Sequence, residues 1–320
     1  MTTTITIDEC AAWLSERDRF LIITHRRPDG DTLGSAAALA SALRAAGKTA
    51  YAVNNAETTA RYLPFIEKFH APDGFVPETI VAVDTASPEL FPDAVSKLIA
   101  PADIELAIDH HPSNTLYAKR TLCDPSRASC GEIIFDVISR LGELGPDAVS
   151  ALYIAVATDT GCFSYDNTDA GAFFTASRLA SLGADIAGLN RLLFRSRTRA
   201  RVAIEGMIYS DMQFLFDGRA AVVAITNAMM KSSGADEDDM ENIAALPVSI
   251  QGVLAGATIR ELRAGGCKVS VRAAPGVDAN GICARFGGGG HTAAAGFTSK
   301  LSPEELRPQI ISVLEEFIAR

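Results

Sequence analysis

The sequence has one tryptophan, 7% aromatic residues and six cysteines in 320 positions, and each scarcity narrows the field. The cysteines (Cys10, Cys123, Cys130, Cys162, Cys267 and Cys283) form no CxxC pair and no tight metal spacing. That excludes a secreted disulfide framework and leaves the thiols as buried groups in a reducing cytoplasm. No apolar run reaches the ~20 residues of a spanning helix. The longest uncharged stretch, 242–259, is interrupted by Pro247, Ser249 and Gln251 and reads as core. The opening residues MTTTITIDEC lack the basic-then-apolar order of a signal peptide, so the expected location is the cytoplasm, with no membrane partner. An excess of basic charge is also missing. With 29 Lys and Arg against 39 Asp and Glu, the net charge is −10, which repels long polyanions. Binding of long duplex DNA is not expected, and any nucleic-acid substrate should be short.

What is present is an ordinary globular composition, 48% hydrophobic, with length enough for two domains. In the first half, short apolar runs alternate with helical patterns, which indicates βαβ units around a parallel sheet with helices on both faces. Three runs, 20–24 (FLIIT), 79–83 (TIVAV) and 104–108 (IELAI), suit buried strands, and each leads directly into an acid or a histidine. The first ends at His25, the second at Asp84, and the third at Asp109-His110-His111. Ligands collect beyond the carboxyl ends of strands in an open α/β sheet, so these ends should converge on one crevice.

Residues 31–46 predict a helix stopped by Gly47, with its N-terminus in that crevice. Helical patterns follow at 131–141 and 147–158, the second delivering Asp159 in the segment ATDTG. A long arginine-bearing helical stretch over 190–214 is expected to join the halves. Beyond it, strand-like runs at 220–226, 253–261 and 268–273, a glycine cluster and a helix near 303–319 predict a smaller α+β domain. The expected organisation is therefore a catalytic domain over 1–190, a helical linker over 191–214 and a second domain over 215–320.

The segment THRRPDGD at 24–31 places one imidazole and two carboxylates on a strand-to-helix loop, where a tight Pro/Gly turn can aim them together. Asp29 and Asp31 alone could serve as turn and cap residues, and Asp84 alone as a post-strand turn. The recurrence decides: acids follow three predicted strands, and a fourth lies in a Thr-Asp-Thr-Gly turn. Residues through 214 carry 19 basic against 27 acidic groups, a net −8, and this cluster is a large share of the excess. So many acids in one place repel each other unless cations sit between them. Carboxylates mixed with imidazoles and no thiolate favour manganese or a similar divalent ion.

THRRPDGD, VAVDTA, AIDHHPSN and ATDTG, in that order, resemble the four motifs of the DHH phosphoesterases, and RFGGGGHTAAAG near the C-terminus resembles the signature of their DHH-associated substrate domain. The resemblance spans nearly the whole chain. Within that superfamily the two-domain length is similar to the group of bifunctional oligoribonucleases and 3′-phosphoadenosine 5′-phosphate phosphatases. RecJ-type exonucleases usually carry further domains, membrane-anchored cyclic-dinucleotide phosphodiesterases carry spanning segments, and family II pyrophosphatases lack the GGGGH segment.

The resemblance implies two Mn²⁺ ions, with Mg²⁺ or Co²⁺ as substitutes. His25, Asp29 and Asp84 would hold one, and Asp31, Asp84, His110 and Asp159 the other, with Asp84 bridging. Catalytic roles would fall to Asp84, Asp109, His110 and His111, with His111 facing the substrate phosphate and Asp109 orienting its neighbours. Position 32 is Thr where the family often has Ala, a departure expected to leave metal binding intact. Two such cations can lower the pKa of a shared water, place it in line with phosphorus and neutralise the phosphate oxygens. The expected enzyme is thus a manganese-dependent phosphoesterase acting on short oligoribonucleotides, dinucleotides or the 3′-phosphate of adenosine 3′,5′-bisphosphate. RecJ-like exonuclease or cyclic-dinucleotide activity, pyrophosphate hydrolysis, and a non-enzymatic nucleotide sensor are the alternatives.

In the second domain, Gly288, Gly289 and Gly290 before His291 allow close backbone approach, so amides and an imidazole could grip a second phosphate, or the run could be a flexible turn. Arg272 could supply a forked phosphate contact or be a solvated strand arginine. Gly131 and Glu132 read as a helix start rather than as catalytic groups. A homodimer is compatible with all of this.

Overall fold

The computed structural model describes residues 2–240 and 242–318. Its contacts divide the chain into two compact units, Met1–Ser196 and Arg197–Arg320. The first runs β1 (Thr3–Thr4), α1 (Ile7–Ser15), β2 (Phe20–Ile23), α2 (Gly30–Ala45), β3 (Ala50–Ala52), α3 (Leu63–Ile66), β4 (Thr79–Val83), α4 (Asp93–Ser96), β5 (Leu106–Asp109), β6 (Arg120–Cys123), α5 (Cys130–Ile138), α6 (Pro146–Asp159), α7 (Ala170–Ser181) and α8 (Ile186–Asn190). The sheet order is β1-β6-β5-β4-β2-β3, every pair parallel.

The central strands alternate between two cores, as the two-residue period of a strand requires. Phe20, Ile22, Val81, Val83, Leu106 and Ile108 face a large cluster built with α1, α2, α5 and α6. Ile23, Ala82 and Ala107 face a smaller one, covered by Phe91 and by Val95 of the short helix α4. The cover on the two faces is therefore unequal. Helix α2, rich in Ala, lies close against α6: a Cβ on Gly34 would come within 2.4 Å of the Ala151 carbonyl, and one on Gly30 within 2.3 Å of Thr158. Only glycine permits that approach, which brings the start of α2 to the end of α6.

The stretch 190–214 is not one helix. A π turn at Arg191–Arg195 ends the first unit; after Ser196 the chain is extended, and Thr198 caps a new helix, α9 (Arg199–Asp211). Ile204, Ile208 and Met212 pack on the second sheet, so α9 is part of the second unit's core rather than a free linker. Burying that apolar stripe outweighs an extended solvent-bridging helix.

The second unit continues β7 (Gln213–Leu215), β8 (Ala220–Ile225), α10 (Asn227–Ser233), β9 (Ala255–Glu261), β10 (Cys267–Ala273), α11 (Ala279–Ala284), β11 (Gly289–Gly290), β12 (Ala294–Ser299) and α12 (Pro303–Ile318). Its sheet order is β11-β12-β10-β9-β8-β7, antiparallel except for the β8–β9 pair. Helices α11 and α12 cover one face and α9 the other. Glu241, and Ala319 at the end of the expected final helix, lie outside the described residues. Cys10, Cys130, Cys267 and Cys283 are buried, as expected, whereas Cys123 and Cys162 are partly exposed. No described helix is long and apolar enough to cross a membrane.

Candidate metal centre

Strands β2, β4 and β5 end side by side, so the residues that follow them meet. His25 follows β2, Asp84 follows β4, and Asp109 closes β5 ahead of His110 and His111. Asp84 adopts a left-handed backbone (φ 52°), rarely taken by a side-chain-bearing residue, while its amide still donates to the Ile108 carbonyl at 2.9 Å. Asp29 caps α2 and accepts the amides of Asp31 and Thr32 at 3.1 Å, so capping and membership of the cluster coincide in one side chain. Asp159 closes α6, where the helix dipole opposes a negative charge.

Donor atoms from six of these side chains surround two points. His25 Nε2 lies 3.6 Å from Asp29 Oδ1 and 3.7 Å from Asp84 Oδ2. His110 Nε2 lies 3.5 Å from Asp84 Oδ1, 3.8 Å from Asp31 Oδ2 and 3.7 Å from Asp159 Oδ2. These gaps exceed good hydrogen bonds, yet ligands at roughly 2.0–2.2 Å from one ion stand about 3.0–3.6 Å apart. Three triads have mutually close donors: His25–Asp29–Asp84, Asp31–His110–Asp159 and Asp84–His110–His111. Asp84 Oδ1 is buried with no hydrogen-bond partner, an expensive state for a carboxylate unless a cation satisfies it. The residues present therefore fit a pair of divalent ions.

Tautomers agree with that fit. His25 Nδ1 meets the Arg26 carbonyl at 2.7 Å and His110 Nδ1 meets the Arg127 carbonyl at 3.2 Å. A carbonyl only accepts, so both Nδ1 atoms carry the proton and both Nε2 atoms turn toward the carboxylates. His111 is arranged differently: its Nδ1 donates to Asp109 Oδ1 at 2.8 Å. Asp109, fully buried, also accepts from Asn114 at 2.6 Å and from the His110 amide at 2.9 Å.

Without cations the cluster is electrostatically unfavourable. Burial, then the charges of Asp84, Asp159 and Asp29, pushes the Asp31 carboxyl far above its usual range. Burial raises Asp84 as well, and burial with the charges of Asp84 and Asp29 lifts Asp159 to about 6 despite His110. The bond to Asp109 raises His111 to about 9. Burial alone would depress His25, but Asp29 and Asp84 carry it up to about 10.

Several supporting groups escape sequence reasoning. Asp31 is held by the amides of Cys130 (2.7 Å) and Gly131 (2.9 Å) and by the Ser35 hydroxyl (3.2 Å). Gly131 and Glu132 do form a helix start, and that helix start grips a site residue. Asn55 donates to the His25 carbonyl at 2.9 Å, and Asn114 stands in the AIDHHPSN motif without any pattern marking it as the partner of Asp109. Thr32 is fully buried and donates to the Val83 carbonyl at 3.2 Å, tying α2 to the strand end before Asp84 and leaving the donor set free.

In the second unit, Arg272 lies on β10, and among the described residues no carboxylate pairs with it; its Nη1 donates to the Val271 carbonyl at 3.1 Å. His291 is exposed. The amides of Gly288, Gly290 and His291 already bond Cys283 O, Asn280 Oδ1 and Ala294 O, at 3.0, 2.9 and 2.8 Å. They are engaged within the fold, in contrast to the expected amide grip on a phosphate. A Cβ on Gly288 would strike Phe297 at 2.4 Å and one on Gly290 the Ala294 carbonyl oxygen at 2.6 Å, so both glycines answer to packing, although Gly289 and Gly290 remain exposed.

Comparison with known proteins agrees with the motif order. Residues 19–158 match the DHH family, N-terminal domain, and residues 217–320 match the DHHA1 domain. The chain is 32% identical over 306 residues to the bifunctional oligoribonuclease and PAP phosphatase NrnA of Thermus thermophilus, a match covering 93% of this chain and 90% of that one. It is 25% identical over 330 residues to the cyclic-di-AMP phosphodiesterase GdpP of Geobacillus thermodenitrificans, covering 95% of this chain but 48% of that protein. A solved structure, an exopolyphosphatase-related protein from Bacteroides fragilis, superposes with a TM-score of 0.85 at 25% identity, covering 98% of this chain and 95% of that one.

Proposed function

The chain belongs to the DHH family and is a hydrolase of phosphoester bonds; from that premise we propose that it cleaves very short oligoribonucleotides and removes the 3′-phosphate of adenosine 3′,5′-bisphosphate, using two manganese ions. The observation that carries the reading is the buried Asp84 carboxylate, whose Oδ1 has no hydrogen-bond partner and faces His110 while its Oδ2 faces His25. The substrate class is supported by the likeness to the Thermus protein over both domains, and the net charge of −10 suits short substrates.

In this reading His25, Asp29 and Asp84 hold one ion, and Asp31, Asp84, His110 and Asp159 the other, with Asp84 common to both. When bound, the ions lower the pKa of a shared water and neutralise charge on the phosphate. The chain's own groups do the rest. Asp109, fixed by Asn114 and two amides, keeps the His111 Nδ1 proton in place and turns the other edge of the ring toward the substrate phosphate. With Nδ1 held by Asp109, the ring presents its Nε2 edge as the donor there. Capture of a second phosphate or a nucleotide end falls to Arg272 and His291 in the second domain, beside the exposed Gly289 and Gly290.

The likeness to a cyclic-di-AMP phosphodiesterase favours a second reading, in which dinucleotides derived from signalling molecules are the substrate. The experiment is a panel of adenosine bisphosphate, linear and cyclic dinucleotides, RNAs of two to about twelve residues and pyrophosphate, each with manganese, with magnesium and after chelation. Turnover of the bisphosphate and the shortest RNAs, falling steeply with length and lost on chelation, is expected. Equal rates on long single strands, or full activity in chelator, would overturn the proposal.

A further inference from the structure

The loop between β6 and α5, together with the first turn of α5, contributes no side chain to the donor set, yet its peptide groups reach two of its members directly and the peptide of a third through Asn167. The Arg127 carbonyl accepts from His110 Nδ1, and the Cys130 and Gly131 amides donate to Asp31. The Ala128 carbonyl shares the side-chain amide of Asn167 with the carbonyl of Asp159, at 3.1 Å each. A displacement of this loop would move His110 and Asp31 together and free the peptide that carries Asp159.

Glu132 grips the loop from inside. It is fully buried, its Oε2 accepts the Ala128 amide at 2.9 Å, and its Oε1 stands 3.8 Å from the Arg127 guanidinium without a hydrogen bond. Starting α5 does not require this group, because the Ser129 hydroxyl already accepts the Glu132 amide at 3.3 Å. Taking a carboxylate out of water is costly, and the charge that offsets it is Arg127, itself held by Asp136 at 2.6 Å and Asp124 at 3.4 Å. The arrangement thus fixes the residue whose carbonyl sets the His110 tautomer. From the solvent side, exposed Asn167 bridges the same loop to the end of α6.

We propose that Glu132 and Asn167 are positioning residues, clamping loop 124–131 so that His110 Nε2 and the Asp31 and Asp159 carboxylates converge on one ion. The inference rests on the two-ion reading above and concerns groups that touch neither ion nor substrate. Supporting groups of this kind typically change metal affinity by about 10–100-fold when removed.

The test is calorimetric titration of manganese into chelator-stripped wild type, Glu132→Gln and Asn167→Ala, with thermal unfolding of each metal-free protein alongside. Gln keeps the shape and an acceptor for the Ala128 amide but loses the charge facing Arg127. We expect manganese affinity to fall about tenfold or more in both variants, and Glu132→Asp, which restores the charge, to recover part of it. A Glu132→Gln protein that melts earlier yet binds manganese as wild type does would show a merely structural role and overturn the proposal. Should that variant fail to fold, Asn167→Ala decides by the same readout, because its side chain is exposed; unchanged affinity there overturns the proposal too. A wild type that takes up no divalent ion would refute the two-ion reading itself, and this inference with it, a distinct outcome from equal affinities across the series.

Discussion

Asp84 Oδ1 and His110 Nε2 face each other across 3.5 Å, and the buried oxygen has no hydrogen-bond partner in the fold. His25 Nε2 stands 3.7 Å from the other oxygen of the same carboxylate. One side chain is thus set between two imidazoles whose Nε2 edges are turned toward it. Asp84→Asn should therefore cut turnover more than any single change elsewhere in the cluster. Loss of several kcal/mol of charge stabilisation, about 4, corresponds to roughly a thousandfold at 1.36 kcal/mol per factor of ten. Steady-state rates on adenosine bisphosphate check it; a variant within tenfold of wild type would mean that Asp84 does not bridge.

The metal-free protein should lose stability as pH rises through the titration of Asp159. Its folded carboxyl is lifted from 3.8 to about 6, so the folded state binds that proton more tightly than the unfolded chain does. The contribution is complete below about pH 4 and lost as pH climbs through 6. Asp159→Asn removes the titration. In chelator, the melting temperature of the variant should gain on that of wild type between pH 4 and 7, and saturating manganese should reverse the order. Parallel curves over that window would contradict the assigned repulsion.

The strand ends were legible because each buried run stops at a charged residue, and a carboxylate or imidazole directly after four or five apolar residues has few purely structural uses. Strand β4 agrees residue for residue with its apolar run. The short strands β1, β3 and β6 were not legible: β1 and β3, two and three residues long, carry too little periodicity to separate from loop, and β6 (RTLC) lacks the apolar run that marks β2 and β5. The support of the site was hidden for another reason. Cys130 and Gly131 reach Asp31 with backbone amides from about a hundred positions away, and a peptide N–H leaves no mark in the side-chain pattern. The break after Arg195 was missed because no proline or glycine announces it; the competing burial of Ile204 and Ile208 is a tertiary effect.

In the proposed reading Arg272 and His291 serve substrate capture rather than chemistry. Replacing Arg272 with Ala should raise KM for adenosine bisphosphate about tenfold, the weight of one charge-assisted contact, with kcat nearly unchanged. A small aryl phosphate monoester, which lacks the second phosphate, should show little change in either constant. His291→Ala should behave alike. A loss confined to kcat would place these groups at the reacting phosphate instead.

The close approach of α2 and α6 offers a way to move the site without touching a ligand. A Cβ at Gly30 would meet Thr158 Oγ1 at 2.3 Å, Cγ2 at 2.5 Å and Cβ at 2.8 Å, contacts that no real methyl group tolerates. Gly30 directly precedes Asp31, and Thr158 directly precedes Asp159, so the helices cannot part there without separating two carboxylates assigned to one ion. Gly30→Ala should cost about 1–3 kcal/mol through overpacking and weaken manganese binding in the same protein. Thr158→Ala removes the two outer atoms but leaves the Cβ, so the double variant should recover part of both losses, and the coupling between the two changes should be favourable. Equal manganese affinity in wild type and Gly30→Ala, measured on folded protein, would mean that the start of α2 and the end of α6 do not share an ion.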